Sequence, residues 1–146
     1  MNNVLFHPKL IRALQIFLGI VFLLAGGMKL LAPWDLVKAM RIYDLVPEIF
    51  LPGLAIGLPI FEIVTGLFLM VGYRVGALGA SFLLIIFLVA LVSALYRGIA
   101  VECSCFGSIN FLGKTAQAMV VRNSLFLVIA LLCYWANLKK VIFESN

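Results

Sequence analysis

Charged side chains are few in this sequence. Lys and Arg number 11 and Asp and Glu 6, so 12% of the 146 residues are charged while 65% are hydrophobic. Soluble domains carry roughly 25% charge, and a soluble fold of this length needs more polar surface than this to cover its core. The scarcity of charge therefore excludes a soluble domain. The net charge of +5 collects in no basic tract. Its Lys and Arg residues stand at the ends of apolar runs, which fits anchoring at lipid headgroups and argues against nucleic acid as a partner. Histidine is confined to His7 and cysteine to three positions, too few well-placed ligands for a closed zinc centre. The apolar stretches lack the alternation of a membrane barrel. No low-complexity segment, internal repeat or soluble module interrupts the chain, so residues 1–146 are expected to form a single transmembrane domain.

Long apolar runs are what the sequence has in abundance. Four occur, at roughly residues 10–31, 53–72, 75–96 and 118–137, each close to the ~20 residues that a helix needs to cross a bilayer. The first has Lys9 and Arg12 before it and small residues at Ala25–Gly27, as a signal peptide would. It outlasts the usual apolar core of such peptides and continues through Leu30, Leu31 and Trp34, so it is expected to remain as a span. The expected fold is an all-α, four-helix antiparallel transmembrane bundle. Gly53 and Gly57, and Gly76, Gly79 and Ala80, are expected to let its helices approach closely.

Four crossings put both termini on one side of the membrane, here called side A, together with the short turn "GYRV". The two longer connections, roughly 32–52 and 97–117, fall on side B. In the first of them, "APWDLVKAMRIYDLVPE", Asp35, Lys38, Arg41 and Asp44 recur every third residue, with Leu36, Val37, Met40 and Tyr43 between them. Pro33 suits a helix start and Pro47 a position past its end. This predicts a short amphipathic helix lying in the interface, with Trp34 and Tyr43 at headgroup level. Side A carries Lys9, Arg12, Arg74, Lys139 and Lys140, and side B carries Lys38, Arg41 and Lys114 with Lys29, Arg97 and Arg122 near its helix ends. The positive-inside rule does not separate the two sides.

The second long connection contains "RGIAVECSCFGSINF", with Cys103 and Cys105 one residue apart. Packing does not select cysteine in a polar loop. As a staple the pair would hold little, because a disulfide stabilises roughly with the logarithm of the loop it closes. Two thiolates suit a soft ion such as Cu(I), but His7 and Cys133 lie toward side A, so a metal site would need a partner or a second copy. A disulfide spanning one residue is tight and therefore easily reduced, the mark of an exchanged bond rather than a permanent one. Such a pair fits the oxidising side of a membrane. Side B is therefore expected to be extracytoplasmic and the termini cytoplasmic. Glu102 beside Cys103 would raise a thiol pKa, and Arg97 would lower it if the loop folds back.

Further polar residues lie inside the spans. Glu62 falls near the middle of the second run, where a charged residue costs about 2.5–3.5 kcal/mol on insertion scales. Pro59 removes the backbone donor that the Ala55 carbonyl would use. Glu62 is either a protonated group bonded to Thr65, a carbonyl or another helix, or a proton, quinone or ion-pair site. Lys29 and Arg122 lie about a turn inside their helices from side B. They either snorkel to the interface or turn inward with Glu62 and Asn123. A Lys29–Glu62 pair faces a difference in depth, and requires tilted helices or a second helix that begins before Gly53. Cys133 is read as a small buried apolar residue.

These pieces together resemble the DoxX/MauE group of small membrane proteins: "GIVFLLAGGMKLLAP" with Lys29, "LPIFEIVTGLFLMVG" with Glu62, "ALYRGIAVECSCFGS" with Arg97, Cys103 and Cys105, and, more weakly, "VVRNSLFLV" with Arg122. The resemblance implies a four-helix bundle of the bacterial inner membrane and a role in periplasmic thiol–disulfide chemistry. For the MauE branch it implies maturation of a disulfide-rich dehydrogenase beside a thioredoxin-like protein. For DoxX-type relatives it implies a link to thiosulfate:quinone oxidoreduction, which makes a quinone the cofactor to consider. The helix-borne Cys-x-x-Cys that quinone-linked disulfide-forming enzymes use is missing here.

The expectation is a membrane thiol–disulfide protein whose Cys103 and Cys105 exchange electrons with a thioredoxin-like or rhodanese-like partner, supported by Lys29, Glu62, Arg97 and Arg122. Two alternatives stand beside it: a non-catalytic anchor or assembly subunit of an oxidoreductase, and copper handling through the two thiols.

Overall fold

A computed structural model describes residues 8–44, 46–98 and 116–144. Their order is α1 (Pro8–Leu31), α2 (Pro33–Tyr43), a 3-10 turn (Glu48–Phe50), α3 (Leu51–Val71), α4 (Arg74–Tyr96) and α5 (Ala116–Glu144). The described residues contain no strand. Four of the helices are long and apolar enough to cross a membrane. Each begins or ends within a few residues of the run that predicts it.

The breaks follow from local chemistry. α1 stops where Pro33 disfavours helical backbone at Ala32, and the same Pro33 opens α2. Asp35 in the first turn of α2 and Arg41 in the last complement its dipole. Asp44 ends it in the left-handed region, its N–H donating to the Arg41 carbonyl. Leu36, Val37, Ala39 and Met40 are half-buried, whereas Trp34, Asp35, Lys38, Arg41 and Ile42 are exposed. The predicted amphipathic helix is thus present, its apolar side resting mainly on α3. An exposed Arg41–Glu48 pair at 3.1 Å links its end to the 3-10 turn. α3 closes at Gly72 (φ 94°), whose N–H donates to the Phe68 and Leu69 carbonyls while the Tyr73 N–H donates to Phe68. Only Gly72 and Tyr73 separate α3 from α4, so these two helices form the antiparallel hairpin expected of them.

Around the bundle the neighbours run α1, α3, α4, α5 and back to α1. Ile11, Leu18, Phe22, Leu69, Ala77, Leu83, Leu84, Ala130 and Cys133 form its core. Its outer surface is equally apolar: Leu24, Phe82, Val89 and Leu125 are each more than half exposed. Lipid, not water, suits that surface.

The most extensive helix contact is between α1 and α3, and glycine makes it. A Cβ at Gly26 would stand 2.8 Å from the Pro59 carbonyl and 3.2 Å from Glu62 Cβ. One at Gly19 would stand 2.9 Å from the Gly66 carbonyl, and one at Gly66 the same distance from Gly19. Gly19 and Gly26 are seven residues apart, so one face of α1 meets α3 twice. Gly76 and Gly79 have the predicted role: their Cβ positions fall 2.5 Å from the Leu69 amide and 3.0 Å from Thr65 Oγ1. Gly53 and Gly57 do not, since nothing lies within 4 Å of either. They occupy the outer face of α3, which the sequence alone does not distinguish from its inner one.

Candidate functional site

The α1–α3 contact fixes the register of two charged side chains. Gly26 stands level with Pro59 and Glu62, and Lys29 follows one turn later. Lys29 is 5% exposed and Glu62 1%. The Lys29 ammonium donates to Glu62 Oε1 and forms a buried ion pair with it. It also lies over the Phe87 ring of α4, 4.3 Å from the centroid. Three helices therefore contribute to one polar centre. The inward reading of Lys29 holds, and snorkelling to the interface does not.

Side-chain direction resolves the difference in depth. The Cα–Cβ bonds of a helix tilt toward its N-terminus. In α1 that direction carries Lys29 toward the bilayer middle. In α3, antiparallel to it, the same tilt carries Glu62 toward side B, so the two side chains converge. α3 also begins at Leu51, before Gly53. Measured from the Gly26–Glu62 level, it overhangs the end of α1 on side B by about 9 Å at 1.5 Å per residue. α2 packs against α3.

The centre is short of donors. Glu62 Oε2 is buried without a hydrogen-bond partner, and Pro59 supplies no N–H to the Ala55 carbonyl. A carboxylate in apolar surroundings, held by one ammonium and open on its second oxygen, can accept and return a proton. Phe87 completes the centre by stabilising the ammonium from the ring face. Nothing in the sequence singles it out from the other apolar residues of its span.

Of the other predicted site residues, Arg97 caps α4 and is exposed on side B. Arg122 is half-buried in the second turn of α5 and is partnered. Cys103 and Cys105 lie outside the described residues. The segment that carries them joins the side B ends of α4 and α5. Cys133 is fully buried in the core, as expected.

The implied quinone meets a poor fit. A lipid-facing groove of about 350 Å³ between α3 and α4 is lined by Phe61, Phe68, Leu78 and Phe82, with Thr65 as its polar side chain. It sits along the first turns of α4 at side A. Its lining offers the two carbonyls of a quinone a single polar side chain, Thr65, and no step is routed through one.

The family model described as methylamine utilisation protein MauE matches residues 7–136, a range that encloses Lys29, Glu62, Arg97, Cys103, Cys105 and Arg122. This chain belongs to the MauE family. The curated methylamine utilization protein MauE of Paracoccus denitrificans is 28% identical over 134 residues, covering 90% of this chain and 72% of the relative. No solved structure matches. As a MauE-family chain with four membrane-length apolar helices, it is a multi-pass membrane protein.

Proposed function

We propose that this MauE-family chain is the membrane component of a thiol–disulfide exchange reaction in methylamine utilisation, with Cys103 and Cys105 as the exchanging pair. The observation that carries this reading is the Lys29–Glu62–Phe87 centre, set in the bundle beneath the side from which the cysteine segment leaves α4. A buried ion pair gives little stability that apolar packing would not. Ionisable groups inside membrane helices accordingly mark working sites.

The exchange balances without a further reactant. One cysteine thiolate attacks a sulfur of the partner's disulfide, that S–S bond breaks, and a mixed disulfide forms while the second partner sulfur leaves as a thiolate. The other cysteine then attacks its neighbour's sulfur. The Cys103–Cys105 disulfide forms and the partner leaves as a dithiol, carrying two electrons and two protons. The reverse sequence oxidises the partner. Arg97 and Arg122 supply the positive charge that favours thiolate, and Glu62 takes up and returns protons. The partner is a thioredoxin-like or rhodanese-like protein on the extracytoplasmic face of the inner membrane, and the termini are cytoplasmic.

Maleimide trapping in intact cells tests this. Cys103 and Cys105 are expected to change together between reactive and protected as the cells are reduced or oxidised. Both thiols staying unreactive under every growth condition defeats the proposal. One observation favours a second reading, as an assembly subunit: α2 presents the exposed Asp35, Lys38 and Arg41 on side B as a docking face. In that case the Cys103→Ser/Cys105→Ser variant supports growth on methylamine and charge reversal on α2 abolishes it.

A further inference from the structure

The side A end of the bundle holds polar donors that nothing in the thiol chemistry uses. Gln15 is 3% exposed, and its Nε2 is buried without a partner. Its Oε1 and the Arg12 guanidinium flank the same point. A Cβ on Gly72 would stand 2.4 Å from Arg12 Nη1 and 3.6 Å from Gln15 Oε1. Gly72 (φ 94°) thus leaves the space that the guanidinium fills, and any side chain there would expel it. Two residues on, Arg74 donates to the Asn137 and Leu138 carbonyls at 3.3 Å each and so ties α5 to the same turn. Asn137 has a second buried and unpartnered donor, Nδ2.

The type of the missing partner can be read from these groups. Both unpartnered atoms are N–H donors, and each belongs to a residue set beside an arginine, so an acceptor carrying negative charge completes them. The surroundings supply none. Among the described side chains no carboxylate lies at the side A end, because Asp35, Asp44, Glu48 and Glu62 belong to the middle and to side B. Side A instead carries Lys9, Arg12, Arg74, Lys139 and Lys140, with Glu144 as its one acid. The level is interfacial: Gln15 stands beside the turn that ends α3, and Tyr73 and Trp135, each 58% exposed, mark headgroup depth.

We propose that Arg12 and Gln15, over the Gly72 turn and beside Arg74, form a binding site for the phosphate oxyanion of an anionic phospholipid headgroup. The arginine supplies charge and a forked donor, and the buried amide supplies direction. The site is independent of Cys103 and Cys105 and of the reaction proposed for them.

The test uses the full chain in neutral detergent. Phosphatidylglycerol is expected to raise the thermal midpoint and to survive as an adduct in native mass spectrometry, whereas phosphatidylcholine does neither. Arg12→Gln and Gln15→Leu are each expected to weaken retention roughly tenfold, and Arg12→Lys to retain part of it. Inorganic phosphate alone, at millimolar concentration, separates the sources. Stabilisation by it that Arg12→Gln abolishes supports the oxyanion chemistry and assigns the site to free phosphate, overturning the lipid as its source. Equal retention of the two lipids by the wild-type chain, or phosphatidylglycerol retention unchanged in both Arg12→Gln and Gln15→Leu, overturns the proposal. Where a variant does not fold, the wild-type comparison of the two lipids decides.

Discussion

Lys29 and Glu62 are each worth more to the other than to the fold. Removing one partner leaves the other as an uncompensated charge in an apolar interior, a cost of about 3–5 kcal/mol, while replacing both with apolar groups of similar volume is close to neutral. Lys29→Met is therefore expected to lower the unfolding midpoint in detergent sharply, and Lys29→Met/Glu62→Leu to recover most of the loss. Equal behaviour of the single and double variants would show that the two side chains do not meet. Cys133, at 0% exposure among core residues of α1, α3 and α4, is expected to resist maleimide in the native protein and to react once the chain is unfolded in SDS. The presence of an intramembrane acid and base is plain in the sequence. Their pairing is not, because depth counted along each helix ignores the opposed tilt of their Cβ bonds.

At the level of the helices, an apolar run translates directly into a span, so all four membrane-length helices and the interfacial α2 are legible from composition, spacing and two prolines. Which side of a helix faces its neighbours is not. α3 is apolar all round, and its glycines at positions 53, 57 and 66 look alike in the sequence. Only Gly66 opposes another backbone, that of α1 at Gly19. The partners on α1, Gly19 and Gly26, give no signal of their own within a run already rich in small residues. Gly26→Val is accordingly expected to force α1 away from Pro59 and Glu62, at a cost of about 1–3 kcal/mol in strain, together with the loss of the ion pair one turn on. Gly57→Ala, with open space around its Cβ position, is expected to leave the midpoint unchanged or slightly raised. Thermal unfolding of the two variants side by side checks the assignment.

For the molecule as a whole, lysine and arginine are shared almost evenly between the two sides, and Asp and Glu weigh little in orientation, so labelling rather than charge decides which side faces the cytoplasm. Under the proposed orientation, with side A in the cytoplasm, a chain in which Cys103, Cys105 and Cys133 are all replaced by serine is expected to be labelled by a membrane-impermeant maleimide in intact cells at Trp34→Cys but not at Tyr73→Cys. Both positions are exposed in the folded chain. The opposite pattern would put the cysteine segment in the reducing compartment and remove the ground for an exchanged disulfide.

The union of α1 with α3 also sets an order of events during synthesis. α1 is made first and reaches the membrane with Lys29 near its trailing end, before any carboxylate exists to meet it. Until then the ammonium is served by water and headgroups, which a lysine one turn from a helix end can reach. α2 must be laid down and α3 inserted before Glu62 arrives, and only then does Lys29 exchange solvent for its partner. Seating α1 against the glycine face of α3 is thus a late step, and the ion pair acts as the latch that records its completion.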